Sequence, residues 1–468
     1  MATNGVSNGV RNGVPNNASI GVANGATTTG DHKQTSVLII GAGFAGMTAA
    51  IECRVRGMKT TLVEKYLDSN KYGDIIDFFA NAGRIIRGWD DGKVADQLME
   101  HICINNAKKF QMKKWTGETF YEDPWFHKPQ HSAYQFAGHR GAMWDVIVKY
   151  CKKIGVEFVF GDGVVQYTED ADSAGVVLQS GKTLKADCVM AADGPKSLAR
   201  QQVLGLADSR TNSGYAIYRS FFFVDDNIRA NPLLKDYTNP DEDTVKFWIG
   251  PHVHMLAYSW NKGRDIAWVM THKDVHDIGE SWSFPGNKKE AAEYIKNFDP
   301  ECMALLEATD PANFVDYKLV WREALETWRS PGGRTVLIGD AAHCHLPTSG
   351  QGGSQAMEDA VTAAICIDRA GGDVVLGLKV MERIRFNRSE VTWLKGIETR
   401  DAMHYADWEA IDKDRSLLSV GRESWILNFD PVKHANDHYE HLAEDVRSGK
   451  QGNIRDLSLP IKLDVLQY

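Results

Sequence analysis

Residues 339–353, GDAAHCHLPTSGQGG, set one carboxylate, Asp340, ahead of a turn centred on Pro347 and three glycines, Gly350, Gly352 and Gly353, which open an apolar helix expected to end near Gly371. Glycine accepts left-handed backbone and lets another molecule touch the main chain, at a cost in chain entropy that a plain connector rarely carries. A helix N-terminus bears about half a positive charge. The stretch is built around a ligand.

A second chemistry-bearing turn lies near the start. Val37 to Ile40 form a short apolar run, followed at once by GAGFAG, in which Gly41, Gly43, Ala45 and Gly46 precede an apolar-periodic helix. Another apolar run, TTLVE, ends on Glu64. Strand, glycine turn, helix, strand and acid in this order form a dinucleotide fingerprint. Gly41 makes the tight turn, Gly43 admits a pyrophosphate to the backbone, Gly46 lets helix and strand pack, and Glu64 is placed for a ribose hydroxyl. A third turn, Asp193-Gly194-Pro195, follows the run Cys188 to Ala192, and Asp340 follows its own run, RTVLIG. Both acids emerge at strand carboxyl ends, where open α/β sheets bind ligands.

The elements that position a substrate are expected in the middle of the chain. From 213 to 272 the sequence alternates: Tyr215, Ile217, Arg219 and Phe221 share one strand face, while Ala216, Tyr218, Ser220 and Phe222 share the other. Such a sheet is rich enough in Tyr, Trp and Phe to form an apolar wall for an aromatic ligand, and core packing accounts for most of those rings equally well. Arg219 on a half-buried strand requires an anion or acceptors. It serves either a substrate oxygen or an ion pair with Asp225 or Glu323. Tyr218 and Tyr258 are candidates for orienting a substrate hydroxyl. His343, Cys344 and His345 lack a carboxylate at ligand spacing, so no metal is expected and turn packing accounts for His343. His252, His254 and His272 read as surface or pocket-lining residues.

Composition bounds these readings. The chain has 468 residues, 43% hydrophobic and 25% charged, with formal net charge −9 and no Lys/Arg block. That balance disfavours nucleic acid as a partner. Seven scattered cysteines without a CxxC pair indicate a reducing compartment, read as cytoplasmic. No run of about 18 apolar residues proposes a membrane span. Residues 1–34 repeat Asn-Gly-Val without aromatic residues and are expected to form a disordered tail.

With its three motifs in this order, the chain resembles the group A FAD-dependent flavoprotein monooxygenases of the p-hydroxybenzoate and salicylate hydroxylase type, over roughly residues 35–410. The fingerprint stands at Gly41, Gly43 and Gly46, the DG motif at Asp193-Gly194, and the GD motif at Gly339-Asp340 with Pro347 and GQG. The family's arginine looks like Arg140 in FAGHRGAMWDVI. Ser354 stands where Asn is common, and Ala324 where Pro is usual.

The resemblance implies an α/β fold: a Rossmann-like FAD-binding domain (35–72, 130–212 and 322–378) interleaved with a mixed or antiparallel-sheet substrate domain (73–129 and 213–321). A helical C-terminal region, 379–468, follows. It implies tightly bound FAD, with the flavin's pyrimidine edge at the helix that opens near Gly352. NAD(P)H reduces the flavin, O2 adds at C4a to give the hydroperoxide, and one oxygen atom hydroxylates or epoxidises an aromatic small molecule, an indole alkaloid or phenolic polyketide in natural-product tailoring. No second fingerprint offers a nicotinamide domain, and the Baeyer–Villiger signature is absent. A flavin dehydrogenase or reductase without oxygen insertion, and a non-catalytic redox sensor, remain as alternatives. Oligomeric state is open.

Overall fold

In the computed structural model the described residues are 34–67, 75–123, 135–207, 210–275, 284–322, 324–418 and 424–461. Apart from Gln34, the tail expected over 1–34 lies outside them. Two parallel pairings begin the architecture. The apolar run β1 (Ser36–Ile40) lies between β2 (Lys59–Glu64) and β11 (Cys188–Ala191), with Leu38 opposite both Thr61 and Val189. β18 (Thr335–Leu337) extends the sheet beyond β11, and β7 (Glu157–Phe160) extends it beyond β2. Continuous apolar strands suit this placement because both sheet faces are covered. Val37, Ile39, Leu62, Met190 and Leu337 are buried, packed with α1 (Phe44–Val55), α3 (Arg140–Lys153) and α7 (Gly352–Arg369) in one core. All five strands point their carboxyl ends the same way, so the turns after β1, β11 and β18 share one edge.

Two smaller sheets flank this unit. β8 (Val164–Glu169), β9 (Ala174–Leu178) and β10 (Thr183–Ala186) form an antiparallel meander, and β3 (Ile75–Phe78) pairs with β6 (Phe136–His139). The long sheet has eight strands in the order β16 (Phe284–Pro285), β17 (Phe314–Arg322), β12 (Arg210–Phe223), β15 (Asp265–Lys273), β14 (Val253–Trp260), β13 (Asp243–Gly250), β4 (Ala107–Lys114) and β5 (Thr119–Asp123). All its pairings are antiparallel except β13 with β4.

The long sheet has two unlike faces. Tyr218 lies opposite Met270, Met270 opposite Met255 and Met255 opposite Trp248, so these side chains share one face. They pack with Phe222, Trp268 and Phe314 beneath α5 (Lys288–Ile295) and α6 (Pro300–Ala308). The other face carries Tyr215, Ile217, Arg219 and Phe221 from β12, Leu256 and Tyr258 from β14, and Tyr317 and Leu319 from β17.

The C-terminal region is helical. Its longest element, α8 (Val374–His404), packs on α7 and on α9 (Pro431–Arg447). α8 is continuous across the expected boundary at 378/379, because Gly371 and Gly372, both with positive φ, end the preceding helix instead. The boundaries expected at 212/213 and 321/322 likewise fall inside β12 and β17. No helix among the described residues is long and apolar enough to cross a membrane. All seven cysteines are buried and unpaired in disulfides.

Candidate active site

Each of the three motifs is a turn at the carboxyl edge of the parallel sheet, and the glycines show how tightly they meet. Gly41 has φ +103°, and a Cβ there would stand 2.3 Å from the carbonyl oxygen of Ala192, the residue before Asp193. At Gly46 a Cβ would stand 1.9 Å from the carbonyl oxygen of Gly41. Gly339 is pressed on Ala45 and Ala356, with 3.0 Å from a Cβ at that position to each methyl. The fingerprint therefore touches the DG turn on one side and the GD turn on the other.

Other glycines face open space. Nothing lies within 4 Å of a Cβ built at Gly43 or Gly194, and at Gly352 the nearest atom is 3.8 Å away. Gly43 and Gln351 are the N-caps of α1 and α7, and neither helix has a side-chain cap. Asp225, Asn287, Asp299, Asp373 and Asp430 cap helices elsewhere. The two helices that open beside the glycine turns can therefore offer their first N–H groups to a ligand.

The carboxylates are held in different ways. Glu64 accepts the Ala42 N–H at 2.8 Å, while Trp144 Nε1 donates to the Ala42 carbonyl at 2.6 Å, so the fingerprint turn is gripped from both sides. Asp193 Oδ2 accepts from the Tyr167 hydroxyl and from the N–H groups of Leu198 and Ala199; its Oδ1 is buried without a hydrogen-bond partner. Asp340 sits among His343, Arg140, Arg200 and Arg322; burial pushes its pKa up, against the downward pull of these neighbours. Arg200 also clamps the GD turn, donating to the carbonyls of Ala341 at 2.7 Å and Ala342 at 2.9 Å.

A residue that the sequence reading passed over anchors the GD motif. Asp359, fully buried in α7, accepts the Gly339 N–H at 3.0 Å, pairs with His343 Nε2 and takes Arg385 Nε of α8 at 2.8 Å. Burial opposes its charge, but His343 and Arg385 hold its pKa down at about 2. His343 is therefore a hydrogen-bond partner of a buried carboxylate as well as a packed turn residue. The only sequence signal was an acid pair, Glu358-Asp359, in an otherwise apolar helix.

The substrate-side candidates separate. Arg219 is buried and lies over the Tyr317 ring at 5.8 Å. Tyr258 shares its face through the register Tyr258, Ala267, Phe221. Phe221 contacts the His139 ring at 4.3 Å, and His139 caps the helix that begins at Arg140. This face thus abuts the start of the helix that Arg140 opens. Tyr218 does not: strand alternation turns it to the opposite face, stacked on His272 at 4.1 Å and on Phe314. His254 and His272 are buried rather than surface groups; His254 bonds His404 at 2.7 Å and His272 bonds Asp316 at 3.1 Å. Among the described residues no cluster could hold a metal ion.

The geometry is that of a dinucleotide-binding fold, and comparison with known proteins supplies its family. A model described as an FAD binding domain matches residues 102–368, more than half of the chain, and another of the same description matches 36–69. The chain belongs to this FAD-binding family and is an FAD-dependent monooxygenase. It is 31% identical over 421 residues to the FAD-dependent monooxygenase nanF of Aspergillus nanangensis, covering 88% of this chain and 91% of that one. It is likewise 31% identical over 420 residues to the asperlicin C monooxygenase of Petromyces alliaceus, covering 88% and 89%. The crystal structure of CtdE in complex with FAD and substrate 4 superposes with a TM-score of 0.82 at 30% identity, covering 88% of this chain and 100% of that one.

Proposed function

We propose that this enzyme uses NAD(P)H and O2 to hydroxylate or epoxidise an aromatic small molecule in natural-product tailoring. FAD, when bound, supplies the two-electron chemistry that activates oxygen. The observation that carries the reading is the meeting of three turns, 41–46, 193–194 and 339–353, at the carboxyl edge of the parallel sheet.

The residues fit FAD by the donors and spaces they present. The open backbone at Gly43 and the N–H groups of α1 receive the pyrophosphate, with Arg140 adding charge. Glu64 takes a ribose hydroxyl, and Asp340 takes the ribityl hydroxyls, for which a carboxyl among three guanidiniums is a fixed acceptor. Gly194, Pro347, Gly350 and Gly353 shape the turns that the cofactor passes. Tyr215, Ile217, Phe221, Leu256 and Tyr258 form an apolar wall that excludes water and holds a flat substrate. Arg219 donates to an oxygen of that substrate, most strongly as negative charge develops on it, and Tyr258 orients a hydroxyl. The buried cysteines, none of them in a disulfide, fit a reducing, cytoplasmic setting.

The test mixes the flavin-loaded protein with NADPH or NADH, 18O2 and a panel of phenols and indoles. One labelled oxygen atom per product molecule is expected, with nicotinamide oxidation stimulated by the substrate. Nicotinamide oxidation that releases only peroxide, whatever the panel member, overturns oxygen insertion and leaves a flavin reductase. Replacing Arg219 by Met should lower kcat/KM on the accepted substrate by about 100-fold, the cost of a buried charge-assisted hydrogen bond, without loosening FAD.

A further inference from the structure

Trp144 is half-buried in α3, one turn beyond Arg140, and its indole N–H is spent on a main-chain atom. Nε1 donates to the Ala42 carbonyl at 2.6 Å. That carbonyl belongs to the trans peptide joining Ala42 to Gly43. In a planar trans peptide C=O and N–H point oppositely, so a carbonyl held toward α3 turns the Gly43 N–H away from α3. The neighbouring peptides are fixed by other groups: Glu64 accepts the Ala42 N–H of the one before, and the Gly43 carbonyl of the one after accepts the Met47 N–H of α1. A peptide between fixed neighbours still inverts as a unit when the residue after it tolerates positive φ. Gly43 has φ −69°, and inversion would carry it to positive φ, which glycine takes at little steric cost. The glycine that opens room at this turn thus also frees its peptide to invert, and the indole bond opposes that inversion.

The consequence falls on the anion that this turn receives. Gly43 is the N-cap of α1 and has nothing within 4 Å of a Cβ built on it, so its N–H heads the donors at that helix mouth. Inverted, the peptide would set a carbonyl oxygen where the N–H stood, and that oxygen repels phosphate. We propose that Trp144 is a positioning residue for the cofactor: its indole N–H locks the Ala42–Gly43 peptide so that a donor, and not an acceptor, meets the pyrophosphate. Apolar packing against α1 needs only a phenyl or an isobutyl group; the bond to the main chain is what the indole adds. α3 then serves the cofactor twice, with charge from Arg140 in its first turn and with backbone direction from Trp144 in its second. The proposal rests on the FAD reading and adds to it a side chain outside the three motifs.

The experiment titrates the full-length apoprotein, wild type, Trp144→Phe and Trp144→His, with FAD and with ADP, which carries the diphosphate without the flavin. It also records the 31P resonances of bound FAD. Trp144→Phe loses the donor and should weaken FAD and ADP alike by about tenfold, the worth of one hydrogen bond, and move the 31P resonances. In Trp144→His the ring Nε2 falls where the indole nitrogen stood; at pH 8 both affinities and the 31P resonances should return toward wild type. Unchanged FAD and ADP affinities in Trp144→Phe overturn the proposal, whatever the melting temperature does. Weaker FAD with unchanged ADP overturns it too, because the effect then lies away from the diphosphate. Wild-type protein that binds neither ligand overturns the cofactor reading itself. If the variants fail to fold, a crystal structure of the wild-type holoenzyme decides: the Gly43 nitrogen within about 3.2 Å of a phosphate oxygen is expected, and a Gly43 N–H bonded only to water or protein overturns the proposal.

Discussion

The glycines of the fingerprint are not interchangeable, although the sequence motif writes them alike. Gly46 faces the Gly41 carbonyl at a distance no Cβ can occupy, whereas Gly43 has extended backbone and open space around it. Gly46→Ala is therefore expected to destabilise the apoprotein by about 3 kcal/mol or more, the overpacking range, read as a lower Tm without FAD. Gly43→Ala should leave the apoprotein Tm within about 1 °C and weaken FAD at least tenfold, read by titrating the apoprotein with cofactor; equal Tm losses in both would show that Gly43 serves packing alone. A similar pair lies on β12. Tyr218→Phe is expected to leave the FAD affinity and kcat/KM within about twofold of wild type, because that hydroxyl lies on the helix-covered face, in contrast to Arg219→Met.

At the scale of elements, buried imidazoles tie helices to sheets and make the fold sensitive to acid. His404, near the end of α8, bonds His254 of β14; burial, then Arg400 and His252, lower its pKa to about 4. His345, in the GD turn, is lowered by burial, then His343, to about 3. In the unfolded chain both titrate near 6.5, so below that pH the unfolded state binds more protons than the folded one. Stability is then full above about pH 6.5 and falls as the pH drops toward 4, by about 1.4 kcal/mol per pH unit for each such histidine. Chemical denaturation between pH 7 and 5 should show this slope, and His404→Asn should flatten it by about one histidine's share; an unchanged slope would mean that His404 is already charged in the fold.

For the whole molecule, FAD is expected to act as part of the core. Bound at 100 times its dissociation constant it adds about 2.7 kcal/mol of stability, so the holoprotein should melt several degrees above the apoprotein, with a Tm that rises with added FAD. The cofactor half was legible in the sequence because its signals are local: each motif is a short run whose glycines and acid do their work within a few residues, and the order of β1, α1 and β2 follows directly. The alternation of β12 also placed Arg219 and Tyr218 on opposite faces, but not which face is covered, since α5 and α6 come from residues 288–308, far along the chain. The network of Asp359, Arg385, Glu358, Asn81 and Gln351 was not legible. Its members lie up to about 300 positions apart in sequence, and a charged residue in a helix reads as a solvated one until the neighbouring helix is seen to cover it.

The two unlike faces of the long sheet bear on how such an enzyme changes its diet. In the proposed reading, odd-numbered positions from 215 to 221 meet whatever molecule is processed, while even-numbered ones hold the barrier between sheet and helices together. A mutant library confined to the odd positions can therefore be screened for new clients with little loss of folded protein, and the same diversity at the even positions should yield mostly aggregates.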